Sequence, residues 1–333
     1  MKLLHTADWQ LGLRLNFVPG EQAARLRAQR FDTVRHLAEL AREHAVDAVV
    51  VAGDVFDDNG VGADSIQQAR DALRTFGDIP VVLLPGNHDP ATPDSALARL
   101  GELPGAVHVA TAREAISLAG GEVYPCPLTS RHTYEDAADW LPERSDRDKV
   151  RVVVAHGGAL QFGEETEAPN RLDVDRMLAR GYDYVALGHL HGPQIRGVEH
   201  IRYSGSLLKY SFSEATQRKG VTLVEVGSEG VTQIAHHPLL PRRDVRVLEG
   251  ELDQLLAQGA TDPHSDDYLL VRLTDRHAIL DPMGKLRAVY PNVLHLEKPG
   301  MLEAKGRQQL DRERLAFSAL DMFSDFFAQT SGE

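Results

Sequence analysis

The chain of 333 residues is 42% apolar and 26% charged, which suits one large and one small globular domain. A net charge of -13 excludes a global basic field drawing it to nucleic acid or anionic lipid, so a polyanionic substrate must be gripped locally. The single cysteine, Cys126, excludes an intrachain disulfide; no apolar run nears membrane-spanning length and the polar N-terminus does not suit a signal peptide, so a cytoplasmic protein with no membrane contact is expected.

Lys2–Thr6 is a short apolar strand that ends in Asp8-Trp9-Gln10-Leu11-Gly12. Glu21–His44 places Ala24, Phe31, Val34, Leu37, Leu40 and Ala41 at roughly helical spacing and predicts a long amphipathic helix. Ala48–Ala52 is a continuous apolar run, the mark of a strand buried on both faces, and it turns at Gly53 into Asp54 and Asp57. Ala63–Phe76 is a second helix with Asp64 as its expected N-cap. Val81–Leu84 is a strand ending in Gly86-Asn87-His88-Asp89. This β-α-β alternation implies a mostly parallel sheet covered by helices.

Val107–Pro127 is punctuated by glycine and predicts antiparallel or edge strands. Arg151–Ala155 is another buried strand, ending in His156, and Leu172–Leu178 is helical. Tyr182–Leu187 is a strand ending in Gly188-His189-Leu190-His191. Ile201–Gly205, Val221–Val226 and Val231–His236 follow as meander strands. After a linker at Leu239–Arg243 come a strand, helix, strand, helix and strand up to Glu297, then an apolar stretch over Leu302–Ala328. The expected fold class is α/β: two packed mixed sheets flanked by helices in four layers, with a small α+β cap domain. The expected divisions are residues 1–240, 241–300 and a helical segment over 301–333.

Five strand ends thus carry metal-ligand residue types: Asp8 and Gln10, Asp54 and Asp57, Asn87 and His88, His156, then His189 and His191. A set of carboxylate, imidazole and carboxamide suits Mn, Fe or Zn rather than calcium or a thiolate-bound metal. An aspartate after one strand is usually a turn former. Five such transitions in order are what turn the reading from turns to a site, because open α/β sheets build their sites at the carboxyl ends of strands.

Asp8-Trp9-Gln10, Gly53-Asp54-Val55-Phe56-Asp57, Gly86-Asn87-His88-Asp89, His156 and Gly188-His189-Leu190-His191 resemble the five signatures of the calcineurin-like metallophosphoesterases. Leu4–Trp9, Val51–Asp57, Asp183–His191 and Tyr203-Ser204-Gly205-Ser206 with Ser211-Phe212 are similar to the SbcD nuclease-subunit family of bacterial SbcCD. The likeness spans about residues 1–240 and returns at Phe317–Phe323. It implies one divalent ion held by Asp8, Asp54 and His191, and a second held by Asp54, Asn87, His156 and His189. Manganese is the first choice, with iron or zinc as alternatives. The resemblance makes His88 the general acid, oriented by Asp57, rather than a ligand.

Gln10 departs from the family's usual histidine. Its carboxamide oxygen either ligates, giving a looser site, or does not, leaving three protein ligands; weakened but working metal binding is the expected outcome. The resemblance implies a DNA phosphodiesterase acting in repair or processing, as exo- or endonuclease, with an SbcC-like coiled-coil ATPase and a second copy of the chain as possible partners. Arg14, Arg131, His132, Arg202, Lys209, Arg218 and Lys219 stand near the loops as candidate phosphate contacts. The alternatives are a small-molecule phosphodiesterase or nucleotidase on the same site, or a partner-bound subunit with a weakened centre.

Overall fold

The computed structural model describes residues 1–14, 18, 20–144, 149–160, 168–227 and 229–298. The apolar stretch expected to be helical over Leu302–Ala328, and with it the segment 301–333, lies outside the described residues.

The chain divides into two compact units. The first comprises Met1–Tyr210 and Thr216–Arg242, the second Ser211–Ala215 and the chain from Arg243 on. The strands of the first unit are β1 (Lys2–Thr6), β2 (Ala48–Val51), β3 (Val81–Leu83), β4 (Val107–Val109), β5 (Ile116–Leu118), β6 (Gly121–Cys126) and β7 (Val150–His156). They continue as β8 (Gly158–Leu160), β9 (Arg171–Asp173), β10 (Tyr184–Gly188), β11 (Gln194–Arg196), β12 (Val198–Tyr203), β13 (Gly220–Gly227) and β14 (Gly230–Pro238). Its helices are α1 (Gly20–Glu43), α2 (Ala63–Arg74) and α3 (Val174–Ala179).

Two six-stranded mixed sheets form, in the orders β14-β13-β1-β2-β3-β4 and β11-β12-β10-β7-β6-β5. Strand periodicity explains their packing, because alternate side chains leave opposite faces. Val49 and Val51 of β2 join Leu4, Val81 and Leu83 in a cluster with Phe31, Val34, Leu37 and Leu73 of α1 and α2. Ala48 and Val50 point the other way and meet Val152 and Val154 of β7 and Tyr184 and Ala186 of β10 between the sheets. The far face of the second sheet, with Val153, Ala155 and Val185, is covered by α3 and the loop around Leu141. The expected four layers are therefore present. A strand clothed on both sides has no polar face, which is why β2 and β7 are continuous apolar runs. Each fully buried valine there contributes roughly 1.5–3 kcal/mol.

Several expectations are corrected. Gly62, with no side-chain hydrogen bond, is the N-cap of α2, and Asp64 sits in its first turn, where its charge still favours the helix dipole. Asp173 caps α3 by accepting from the Arg176 amide, so that helix begins at Val174 rather than Leu172. β4 and β5 are edge strands, but β6 lies inside the second sheet, parallel to β7. The expected meander is split: β12 belongs to the second sheet, while the β13–β14 hairpin closes the first against β1. The two-stranded β8–β9 pair has no counterpart among the expected elements.

In the second unit, β15 (Val245–Gly250), β16 (Tyr268–Leu273) and β17 (Val293–Glu297) pair in that order, all parallel. Helices α4 (Leu252–Gly259) and α5 (Pro282–Val289) make the crossovers. Leu252, Leu255, Leu286 and Tyr290 cover Leu269, Val271 and Leu273 to form its own core. No helix among the described residues is long and apolar enough to cross a membrane.

Candidate metal centre

The five chemistry-bearing loops leave the carboxyl ends of β1, β2, β3, β7 and β10. β1, β2 and β3 are mutually parallel, and so are β7 and β10, so within each sheet the loops emerge at one edge. The loops are tied together beyond the strands. The amides of Asp8, Gln10 and Leu11 donate to the carbonyls of Gly53, Asp54 and Val55 at 3.0, 2.9 and 2.9 Å. The His189 amide donates to both carboxylate oxygens of Asp8, at 3.2 and 3.1 Å.

The backbone is forced where the side chains converge. Asp8, Gln10, Asp54 and His189 have φ of 52°, 45°, 53° and 111°. Such values are uncommon outside glycine and persist where surrounding contacts over-determine them, a pattern concentrated at functional sites. Close approach also explains Gly86: a β-carbon there would overlap the Asp54 carboxylate.

Asp8, Asp54 and His156 bring one ligand atom each to within 4.8 Å of one another, and all three are buried. His156 Nδ1 donates to the Ala52 carbonyl at 2.8 Å, which leaves Nε2 facing Asp54 Oδ2 at 3.4 Å and Asn87 Oδ1 at 2.9 Å. A backbone bond to one ring nitrogen is the usual device that frees the other for a metal. Asn87 Oδ1 also lies 3.1 Å from His189 Nδ1. Gln10 Nε2 lies 3.2 Å from His191 Nε2, so with the amide turned this way Gln10 is a hydrogen-bond partner of His191; its oxygen would reach that position only after the amide turns over. The structure therefore gathers Asp8, Gln10, Asp54, Asn87, His156, His189 and His191 in one place.

The electrostatics suit a cation. Burial alone drives the Asp8 and Asp54 carboxyls upward. For Asp8 burial prevails, and the nearby Asp54 charge adds to it. For Asp54, the charges of and bonds from His156 and His88 outweigh burial and hold it below its ordinary value. Burial pulls His156 down, but the Asp54 and Asp8 charges overcome it and raise the imidazole to about 9. Burial, reinforced by His156, lowers His189 to about 4. Two buried carboxylates thus set up a negative field that holds a proton on His156, and a divalent transition ion among these nitrogen and oxygen donors would take that proton's place.

His88 stands at the rim, its side chain 36% accessible. Its amide donates to Asp54 Oδ1 at 2.9 Å, and its Nδ1 donates to the Asp57 carbonyl oxygen at 2.7 Å. The Asp57 carboxylate is 4.0 Å away, so the backbone of Asp57 rather than its side chain holds the ring. Sequence reading missed Asp89. This fully buried carboxylate accepts from the Phe56 and Gly86 amides at 2.9 and 2.8 Å and joins the second loop to the third. It also missed Tyr210, whose hydroxyl donates to the Asp8 and Trp9 carbonyls. Of the candidate phosphate contacts, Arg131 pairs with Asp58 at 3.0 Å beside Asp57. Arg14, His132 and Arg218 are exposed, and Arg202 and Lys209 are half-buried. Lys219 is only 5% exposed and is corrected: it faces the protein interior.

Residues 1–193 match the calcineurin-like phosphoesterase family model, and residues 241–331 match that of the type 5 capsule protein repressor C-terminal domain, SbcD_C. The SbcD subunit of the nuclease SbcCD from Staphylococcus epidermidis is 29% identical over 323 residues, covering 89% of this chain and 85% of that protein. Among solved structures, TT1561 of Thermus thermophilus is 13% identical with a TM-score of 0.43. The phosphoesterase Yfce from E. coli is 16% identical with a TM-score of 0.30. These two cover 71% of this chain and 98% of their own.

Proposed function

The chain belongs to the calcineurin-like phosphoesterase family and is a metal-dependent phosphodiester hydrolase, and on that premise we propose that its substrate is DNA. The observation that carries the catalytic reading is the convergence of Asp8, Asp54 and His156 with the amide and imidazole donors around them. The choice of DNA is supported by the similarity, along most of the chain, to a nuclease subunit.

In this reading Asp8, Asp54 and His191 hold one ion, with Gln10 beside it. Asn87, His156 and His189 hold a second, and Asp54 is shared. Close spacing of Asp8, Asp54 and His156 is what a shared carboxylate between two such sites requires. Divalent ions bound there supply neutralisation of the phosphate oxygens and activation of the attacking water. The mixed oxygen and nitrogen donors suit manganese, iron or zinc alike, and the family likeness puts manganese first.

The protein's own part is positioning and proton transfer. His88 Nδ1 is committed as a donor to the Asp57 carbonyl, so Nε2 is the atom that takes up and releases a proton. Placed next to Asn87 and held to Asp54 through its amide, His88 delivers that proton to the leaving oxygen as general acid. His156 is fully buried and His189 half-buried, and they keep their ring orientations through backbone and Asn87 contacts. Residues 241–300 are proposed as a DNA-binding domain, and an SbcC-like ATPase is the proposed partner.

Net charge of -13 argues against tight DNA binding by the chain alone, since phosphate neutralisation supplies most non-specific affinity. The test compares linear single- and double-stranded DNA with a chromogenic phosphodiester, each with Mn²⁺. Cleavage of DNA is expected. Hydrolysis of the chromogenic diester with DNA left intact, even beside a coiled-coil ATPase partner, would move the substrate to a small molecule.

A further inference from the structure

Lysine is rarely buried, because its ammonium must then find acceptors inside the protein. Lys219 is 5% exposed and finds them beside the candidate ligands. Its Nζ donates to the His191 carbonyl at 2.8 Å, to Ser206 Oγ at 2.8 Å and to Gln217 Oε1 at 2.7 Å. The Ser206 amide donates to the same His191 carbonyl at 3.0 Å, and Ser206 Oγ donates to the Leu208 carbonyl at 2.9 Å. Gly205, at φ 79°, lets this strip approach: a β-carbon there would lie 2.8 Å from the His191 oxygen. On its ring side His191 meets Gln10 Nε2 at 3.2 Å and the edge of Tyr210 with centroids 5.3 Å apart.

We infer that Lys219 is a positioning residue for His191, acting through that residue's carbonyl to fix the turn that presents its ring to the metal centre. The inference rests on the reading of His191 as a ligand. The turn needs such a hold, because His189 within it has a φ of 111° and unfavourable backbone survives only where contacts over-determine it. It also gives a purpose to the Tyr203–Ser206 motif: Ser206 is the relay between Lys219 and the ligand turn. Groups that orient a ligand typically change metal affinity by about 10–100-fold when removed. The loss falls on the ion that His191 holds, while the ion held by Asn87, His156 and His189 keeps its affinity.

Lys219→Met retains the aliphatic stem and removes the donors. Metal-free protein, Lys219→Met and His191→Ala are each titrated with Mn²⁺, followed by the resonance of free Mn²⁺, and loaded with Cd²⁺ for cadmium NMR. The expected result is one weakened ion in Lys219→Met, with the affected cadmium signal the same one that His191→Ala removes. The second signal serves as an internal measure of folding. Unchanged affinity at both sites, or equal loss at both, would overturn the inference. A single ion in the unmodified protein would contradict the two-ion reading separately. Lys219 would then be decided by whether that ion weakens in both variants or in neither.

Discussion

At the scale of the residue, the proposed ligand and the proposed acid differ in their burial, although the backbone engages the same ring atom in both. His156 and His88 each commit Nδ1 to a carbonyl, of Ala52 and Asp57 respectively, but only His156 is fully buried against Asp54. We predict that His88→Ala lowers turnover about a hundredfold or more while leaving metal content unchanged. Metal analysis beside kinetics checks this, and loss of metal would reassign His88 as a ligand. Gln10→His should raise the affinity of one ion only, because the new imidazole supplies a stronger donor next to His191. Equal affinities in both proteins would remove position 10 from the site. These candidate ligands could be named from the sequence because each lies at or shortly after the end of an apolar strand. The supporting residues could not, because they act on backbone atoms across long separations: Lys219 lies 28 residues from His191, Asp89 lies 33 from Phe56 and Tyr210 lies 202 from Asp8.

At the scale of the element, the loops are held by buried polar groups that cost free energy when broken. Asp89→Ala leaves the Phe56 and Gly86 amides without their acceptor, and we expect it to cost about 2–4 kcal/mol for two unsatisfied donors. Denaturant unfolding measures that cost, and an unchanged midpoint would show that the two loops are held otherwise. His5 is a second such group, between the sheets. It is hydrogen-bonded to the Tyr184 hydroxyl at 2.8 Å and lies 3.2 Å from the Leu187 carbonyl. Burial, with a smaller push from Arg202, lowers it to about 3 from the ordinary 6.5. Below the ordinary value the unfolded chain takes up a proton that the folded chain refuses. His5 therefore costs nothing above pH 6.5, and stability falls as pH drops from there toward 3. Between neutrality and pH 4 the wild-type unfolding free energy should fall more steeply than that of His5→Asn, by up to about 3 kcal/mol. Parallel slopes would contradict the buried neutral imidazole.

The elements themselves were read from periodicity with uneven success, and the failures share a cause. Helix α1 announces itself by one period through the whole element, and strands β2, β7 and β10 by unbroken apolar runs. The β8–β9 pair did not, since three-residue strands leave too few alternations to read, and Gly121 and Pro125 made β6 read as an antiparallel or edge strand rather than an inner one. Strand partners are a tertiary matter, so nothing in Ile201–His236 shows that β12 joins one sheet and β13 the other.

At the scale of the whole molecule, two sheets bury their shared face and present five strand ends at their edges. On the proposed reading, that arrangement lets a chain of net charge -13 address a polyanion by local cation binding rather than a basic surface. Asp54 is the hinge of the proposed centre, since it is buried, contacts His156 and His88, and is assigned to both ions. The most direct test is Asp54→Ala, with metal content and Mn²⁺-dependent cleavage of linear DNA measured on the same preparation. Loss of both ions and of all cleavage is expected, in a chain that remains folded. Retention of both ions, or cleavage at the unmodified rate, would contradict that assignment.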